Sequence, residues 1–195
     1  MIQYNLDGDV RALADMAAGL IPYLYENELY GAMPVNLPRL TVGGVLMRLY
    51  RLVAIRNLLN PDQSRRLDDA RAAFDKARAE WPVAYEGKLD RELTARTQAL
   101  GNIFNDCKDD LRRCADIYPS EIEKRVIAEH LASEERERHT LTPVQDAALR
   151  GFDAGIKQFI EPGEFLWDPR LKAAYPEDAY WYLYRRVLRP QNRRG

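Results

Sequence analysis

The stretch LGNIFNDCKDDLRRCADIY, residues 100–118, decides the fold class. Its apolar side chains recur at steps of three and four, which places them on one face of a helix. Residues 67–81 and 10–24 repeat this spacing. Three such apolar faces in one chain predict helices packed on helices. We therefore expect an all-α fold, a single-domain bundle of about six or seven helices spanning residues 1–195.

Proline, glycine and capping residues predict where the helices begin and end. The first helix should run from a cap at Asp7 or Asp9 to Tyr30, and an extended crossing should follow over 31–40. Thr41 should cap a second helix. Further helices are expected over 42–59, 61–81, 88–116, 119–139, 143–160 and 177–188. Residues 161–176 should form an irregular connection, and residues 190–195 a flexible basic tail.

The helix predicted over 42–59 is apolar on nearly every side. A membrane span is one interpretation of it. The helix also carries Arg48, Arg51 and Arg56, and each arginine would cost roughly 2.5 kcal/mol or more at the centre of a bilayer. We therefore expect a central buried helix, and we expect its Gly43-Gly44 pair to let another backbone approach closely.

The two cysteines, Cys107 and Cys114, lie seven positions apart on one predicted helix. At 1.5 Å per residue their separation along the axis would be about 10 Å, too far for a disulfide. They also lack the spacing of a metal site. We expect two reduced, buried thiols and, with no signal peptide in the sequence, a cytoplasmic protein.

Charge and motif content exclude several function classes. The formal net charge is −1, so no overall positive field favours nucleic acid. No glycine-rich dinucleotide or phosphate loop, Gly-x-Ser-x-Gly elbow or His-Glu-x-x-His motif occurs. We expect no cofactor, no resident metal ion and no membrane partner. Arginine greatly outnumbers lysine, which is typical of a GC-rich bacterial genome.

A polar group on the helix predicted after residue 119 is the first candidate site. Glu123, His130 and Glu134 fall at helical spacing within an apolar stripe, so they share a face. A neighbouring helix with further carboxylates would turn this face into a metal site. The simpler interpretation is a surface ion pair between His130 and Glu134, one turn apart.

The C-terminal aromatic segment is the second candidate. If 177–188 is a helix, Trp181 and Tyr182 point away from its apolar face and lie beside Arg185 and Arg186. Tryptophan, tyrosine and arginine are the residues that dominate binding energy at interfaces. The simpler interpretation is that the segment folds back onto its own bundle. The alternative is an exposed patch that pairs with itself across a two-fold axis.

These observations predict a non-catalytic bacterial interaction module, self-associating as a homodimer or binding a protein partner. One alternative is a bundle enzyme or metal-binding protein centred on Glu123, His130 and Glu134. Another is a nucleic-acid accessory protein that uses the arginines and aromatic rings of the C-terminal segment.

Overall fold

The computed structural model describes residues 3–138 and 141–188. Within those ranges seven α-helices and very little strand are present, which confirms the all-α helical bundle. In chain order they are α1 (Leu6–Tyr25), α2 (Val42–Ala54), α3 (Pro61–Glu80), α4 (Pro82–Asp109), α5 (Leu111–Glu121), α6 (Glu123–Arg138) and α7 (Pro143–Ile156).

Side-chain caps start three of these helices where the sequence indicates. Thr41, Asn60 and Thr142 each accept a hydrogen bond from a backbone N–H in the first turn of α2, α3 and α7. For α1 the predicted cap was wrong. Asn5 accepts from the N–H of Gly8 at 2.9 Å, and Asp7 and Asp9 lie inside the first turn.

The segment after α1 also differs from its prediction. α1 ends at Tyr25, five residues earlier than expected. Residues 31–40 contain no helix, but Gly31 and Leu40 exchange hydrogen bonds of 2.9 and 3.1 Å. The segment is therefore a loop closed at its base rather than an extended crossing.

Helix α2 lies at the centre of the bundle and packs against α1, α3, α4 and α6. A Cβ atom built on Gly43 would lie 2.5 Å from Cγ2 of Ile127, so this glycine allows side chains of α6 to approach α2 closely. Its N–H donates to the buried Glu92 carboxylate of α4 at 2.8 Å. Among the described helices, α2 included, none has the length and apolar character needed to cross a bilayer.

The stretch over residues 100–118 forms two helices instead of one. α4 ends at Asp109, Asp110 adopts extended backbone angles, and the Asp110 carboxylate accepts from the N–H of Arg112 at 2.8 Å to cap α5. This local capping competes with continuation of the helix. The turn brings the Cα atoms of Cys107 and Cys114 to 4.5 Å, and the two residues form a disulfide.

The prediction of two reduced thiols was therefore wrong, because it assumed a straight helix between the cysteines. The expectation that both lie in the core was correct, since neither is exposed. The predicted helix start at Pro119 was also wrong. Pro119 lies within the last turn of α5, and α6 begins at Glu123.

The last part of the described chain consists of two short strands and several 3₁₀ turns. β1 (Ile160–Pro162) pairs antiparallel with β2 (Arg185–Val187), with Ile160 opposite Val187. Single 3₁₀ turns cover Pro169–Ala173 and Trp181–Tyr184. The irregular connection predicted over 161–176 is largely correct, but the helix predicted over 177–188 was wrong. The tail predicted over 190–195 lies outside the described residues.

Pairing with β1 and burial of several rings explain the absence of that last helix. Backbone bonds from Gly163 to Tyr184 and from Leu166 to Leu183 hold the segment against the chain that follows α7. Tyr180, Tyr182 and Leu183 are all buried in this arrangement. A helix would have turned some of these aromatic side chains toward water.

Candidate binding groove

A groove of about 940 Å³ opens along one face of α2. Helices α3 and α6 contribute its sides, and residues 178–181 contribute one edge. The α2 side chains that line it are apolar or aromatic: Leu46, Leu49, Tyr50, Val53 and Ala54. Tyr50 is 42% exposed and Val53 is 41% exposed, so within the described structure this face of α2 is only partly covered.

The charged side chains around the groove are mainly acidic. Its lining includes the arginines Arg71, Arg78 and Arg125. Its lining also includes twice as many carboxylates, namely Asp75, Glu129, Glu134, Glu137, Asp153 and Asp178. The groove therefore combines an apolar floor with a negative rim.

Four of these carboxylates form ion pairs with the lining arginines. Within α3, Asp75 lies 3.9 Å from Arg71 and 3.7 Å from Arg78. The Arg125 guanidinium donates to Asp153 of α7 at 2.8 Å and to Glu129 at 2.8 Å. Burial raises the pKa of Glu129, but the charges and hydrogen bonds of Arg125 and Arg136 together outweigh burial and hold that pKa below its usual value. Arg78 of α3 donates to Glu134 of α6 at 3.0 Å.

His130 lines the groove and is only 8% exposed. Its ring lies 4.7 Å from the Tyr50 ring and 6.1 Å from the Tyr180 ring, measured between centroids. Its Nε2 is buried without a hydrogen-bond partner. Burial lowers the pKa of His130 to about 4, so the imidazole is neutral at pH 7.

The ion pair predicted between His130 and Glu134 is not formed. Glu134 instead accepts hydrogen bonds from Arg78 at 3.0 Å and from the Tyr85 hydroxyl at 3.1 Å. Burial keeps the imidazole uncharged, which removes the electrostatic reason for such a pair. The groove wall therefore carries a neutral histidine whose Nε2 has no hydrogen-bond partner.

The structure does not assemble the polar group predicted from Glu123, His130 and Glu134. His130 and Glu134 both line the groove, but Glu123 lines a separate pocket of about 330 Å³ together with Tyr4 and Arg51. Across residues 3–138 and 141–188, no three His, Cys, Asp or Glu side chains are grouped to hold a metal ion.

The opposite side of α2 carries a buried ion cluster. The Arg51 Nε donates to the Asp9 carboxylate at 2.5 Å, and the Arg48 Nε lies 3.1 Å from the same carboxylate without hydrogen-bond alignment. The Tyr4 hydroxyl also donates to Asp9, at 2.6 Å. Burial and the neighbouring Arg51 hold the pKa of Arg48 below its usual value.

The C-terminal candidates are largely used within the fold. Tyr182 is fully buried, and the guanidinium of Arg125 lies 4.9 Å from its ring centroid. Trp181 is half-buried, with the Lys157 ammonium 4.7 Å from its ring centroid. The alternative of an exposed Trp181-Tyr182 patch on a final α-helix was therefore wrong, because Trp181–Tyr184 forms a single 3₁₀ turn and the segment folds back onto the bundle.

The two arginines beside those rings are paired with acidic side chains. Arg185 donates to Glu177 at 3.0 Å, and Arg186 donates to Glu161 across the β1–β2 pair at 2.9 Å. Of the four candidates, Trp181 alone lines the groove.

Sequence reasoning missed the α2 face that forms the groove floor. The signal was present, since positions 46, 49, 50 and 53 have the spacing of one helix face. It was hidden because Val45, Met47 and Leu52 make α2 apolar beyond this face as well. Asp75 and Asp178, far from α2 in sequence, gave no signal of their own.

Comparisons with protein-family models, with curated protein sequences and with solved structures found no significant match to this chain.

Proposed function

We propose that this protein is a non-catalytic interaction module that binds a positively charged partner protein in the groove. The observation that carries the proposal is the apolar α2 face enclosed by six carboxylates and only three arginines. A cationic partner would be attracted by the rim and would gain affinity by burying the apolar floor.

The neutral state of His130 supports this choice of ligand charge. A charged imidazole on the groove wall would repel a cation, whereas the neutral ring leaves Nε2 able to accept a hydrogen bond from one. The same rim opposes nucleic acid, because carboxylates repel backbone phosphates. The separation of Glu123 from His130 leaves the metal-site alternative without its third ligand.

A labelled peptide of about 18 residues, built only from leucine and lysine, tests the proposal by fluorescence anisotropy. We expect it to bind the full chain, and we expect the D75N/D178N variant to raise Kd about tenfold, since each lost charge is worth roughly 0.2–1 kcal/mol. D69N is the matched control, because Asp69 is exposed on α3 and does not line the groove.

Two results would contradict this function. One is the absence of binding by the leucine–lysine peptide. The other is equal binding by a peptide in which glutamate replaces every lysine, because the acidic rim should reject it.

Self-association remains part of the proposal, since the chain carries basic residues of its own. Arg189, Arg193 and Arg194 lie outside the described residues, but their charge matches the groove. Light scattering over a range of concentrations tests whether a second copy is the partner. A dimer that D75N/D178N weakens and D69N does not would assign this role to the groove, and a monomer throughout would assign the groove to another protein.

A further inference from the structure

The floor of the groove has the shape of a helix-docking surface. Leu46, Leu49, Tyr50 and Val53 form a stripe along α2 with steps of three and one, so their side chains make a continuous ridge. The stripe runs from Leu46 to Val53, seven steps of 1.5 Å, and is therefore about 10 Å or two helical turns long. α3 and α6 both pack against α2 and both line the groove, so the stripe lies at the bottom of a trough.

We infer that the occupant of this trough is a basic amphipathic α-helix of a partner protein. This inference rests on the proposed function and specifies the form of the ligand. The apolar face of the helix would pack on the α2 stripe. Its lysine or arginine flanks would meet carboxylates on both sides, because Asp75 belongs to α3 and Glu137 to α6.

The size of the groove suits a helix. Two turns of a helix about 10–12 Å wide occupy about 800–1,200 Å³. The open groove has a volume of about 940 Å³. The contact therefore involves about two turns of the occupant, and the rest of the partner helix extends beyond it.

The groove does not offer what an extended peptide needs. A strand gains affinity by pairing its backbone with an open sheet edge. Helical segments contribute the sides and floor of this groove, and their backbone N–H and C=O groups are bonded within the helices. An extended peptide would bury unpaired backbone groups there, whereas a helix satisfies its own.

His130 adds an observation that is independent of the acidic rim. The imidazole is more than nine-tenths buried, lines the same groove and has an unpartnered Nε2 beside the Tyr50 ring. On binding, a lysine or arginine of the partner helix would displace the Tyr50 ring and donate a hydrogen bond to Nε2 of His130. The site therefore has a polar contact within its apolar floor.

Two peptides of identical leucine–lysine composition test the form of the occupant against the full chain. In one, leucines follow helical spacing at steps of three and four. In the other, they alternate with lysines as in a strand. We expect the helical pattern to bind at least about tenfold more tightly and to gain helical circular dichroism on binding.

Variants of the floor complete the experiment. V53S should weaken binding of the helical peptide about tenfold, because the peptide would bury the apolar surface that Val53 exposes. V83S should leave it unchanged, because Val83 is 82% exposed on α4 and outside the groove. Equal affinities for the two peptides, both reduced by D75N/D178N, would overturn the helix inference while leaving the proposed function intact. Binding of neither peptide would overturn both.

Discussion

The two sides of α2 show that residue polarity alone does not decide which face of a helix is buried. One side carries Arg48 and Arg51, yet both are only 7% exposed because Asp9 supplies a carboxylate to each. The other side carries Tyr50 and Val53, yet each is more than 40% exposed. Charged residues are buried where a partner group satisfies them, and apolar residues remain open where the fold provides no cover.

The two sides of α2 therefore differ in role: the Asp9 side contributes to stability, and the groove side contributes to binding. The Asp9 side holds α1 and α2 together through groups that cannot be removed without leaving a buried charge. The groove side contributes less to folding, because its side chains already contact water. Changes on the Asp9 side should therefore unfold the protein, whereas changes on the groove side should alter what it binds.

The largest expected effect is on the Asp9 side. D9N keeps the shape of the side chain but leaves Arg48 and Arg51 without a counter-charge, and we expect a loss of about 3–5 kcal/mol in the free energy of unfolding. Urea denaturation measures this loss. D15N is the control, because Asp15 faces Arg11 at the surface, and its effect should stay within about 0.5 kcal/mol. Equal losses in both variants would refute the distinction.

The second effect is the pH dependence of stability caused by His130 on the groove side. Unfolded chains bind a proton on this histidine below its ordinary pKa of 6.5, while folded chains bind it only near about 4. The unfolded state therefore binds more protons between these values, and stability falls as the pH is lowered through them. The pKa difference corresponds to about 3 kcal/mol.

The comparison of wild type with H130F isolates this contribution from the carboxylates that titrate in the same range. Urea denaturation at about pH 7 and about pH 4.5 should show a steeper loss in wild type than in H130F. Parallel losses in the two proteins would show that His130 is not buried in its neutral form.

The third effect concerns the turn between α4 and α5, away from both sides of α2. Reduction of the Cys107–Cys114 disulfide opens a short loop, and chain entropy predicts a loss of about 2–3 kcal/mol. Urea denaturation with and without dithiothreitol measures it, and a C107S/C114S variant should not respond to the reductant. Binding of the leucine–lysine peptide should persist after reduction, since neither cysteine lines the groove.

The smallest effect on stability should come from the groove floor. V53S removes apolar surface that is already 41% exposed, so we expect a change below about 1 kcal/mol alongside the loss of peptide binding. Thermal unfolding of V53S and V83S should give similar midpoints. A large destabilisation by V53S alone would mean that the floor belongs to the core.

Local sequence signals predicted much of the helical framework because they act within one turn. Thr41, Asn60 and Thr142 each satisfy a nearby backbone N–H, so the helix start is encoded beside the cap. The apolar stripes of α1 and α3 likewise predicted most of their buried side chains, although Trp81, at the end of the second stripe, is 38% exposed. For α2 the same reasoning predicted burial without showing which face would stay open.

The groove and the features around it depend on contacts that only the tertiary structure shows. The disulfide exists because Asp110 turns the chain and returns Cys114 to Cys107. Tyr182 is buried because β2 pairs with β1 instead of continuing as a helix. The low pKa of His130 and the acidic rim depend on side chains brought together from distant parts of the sequence. Hydrogen bonds within a turn can be inferred from neighbouring residues, whereas burial and electrostatic environment are sums over the whole packed chain.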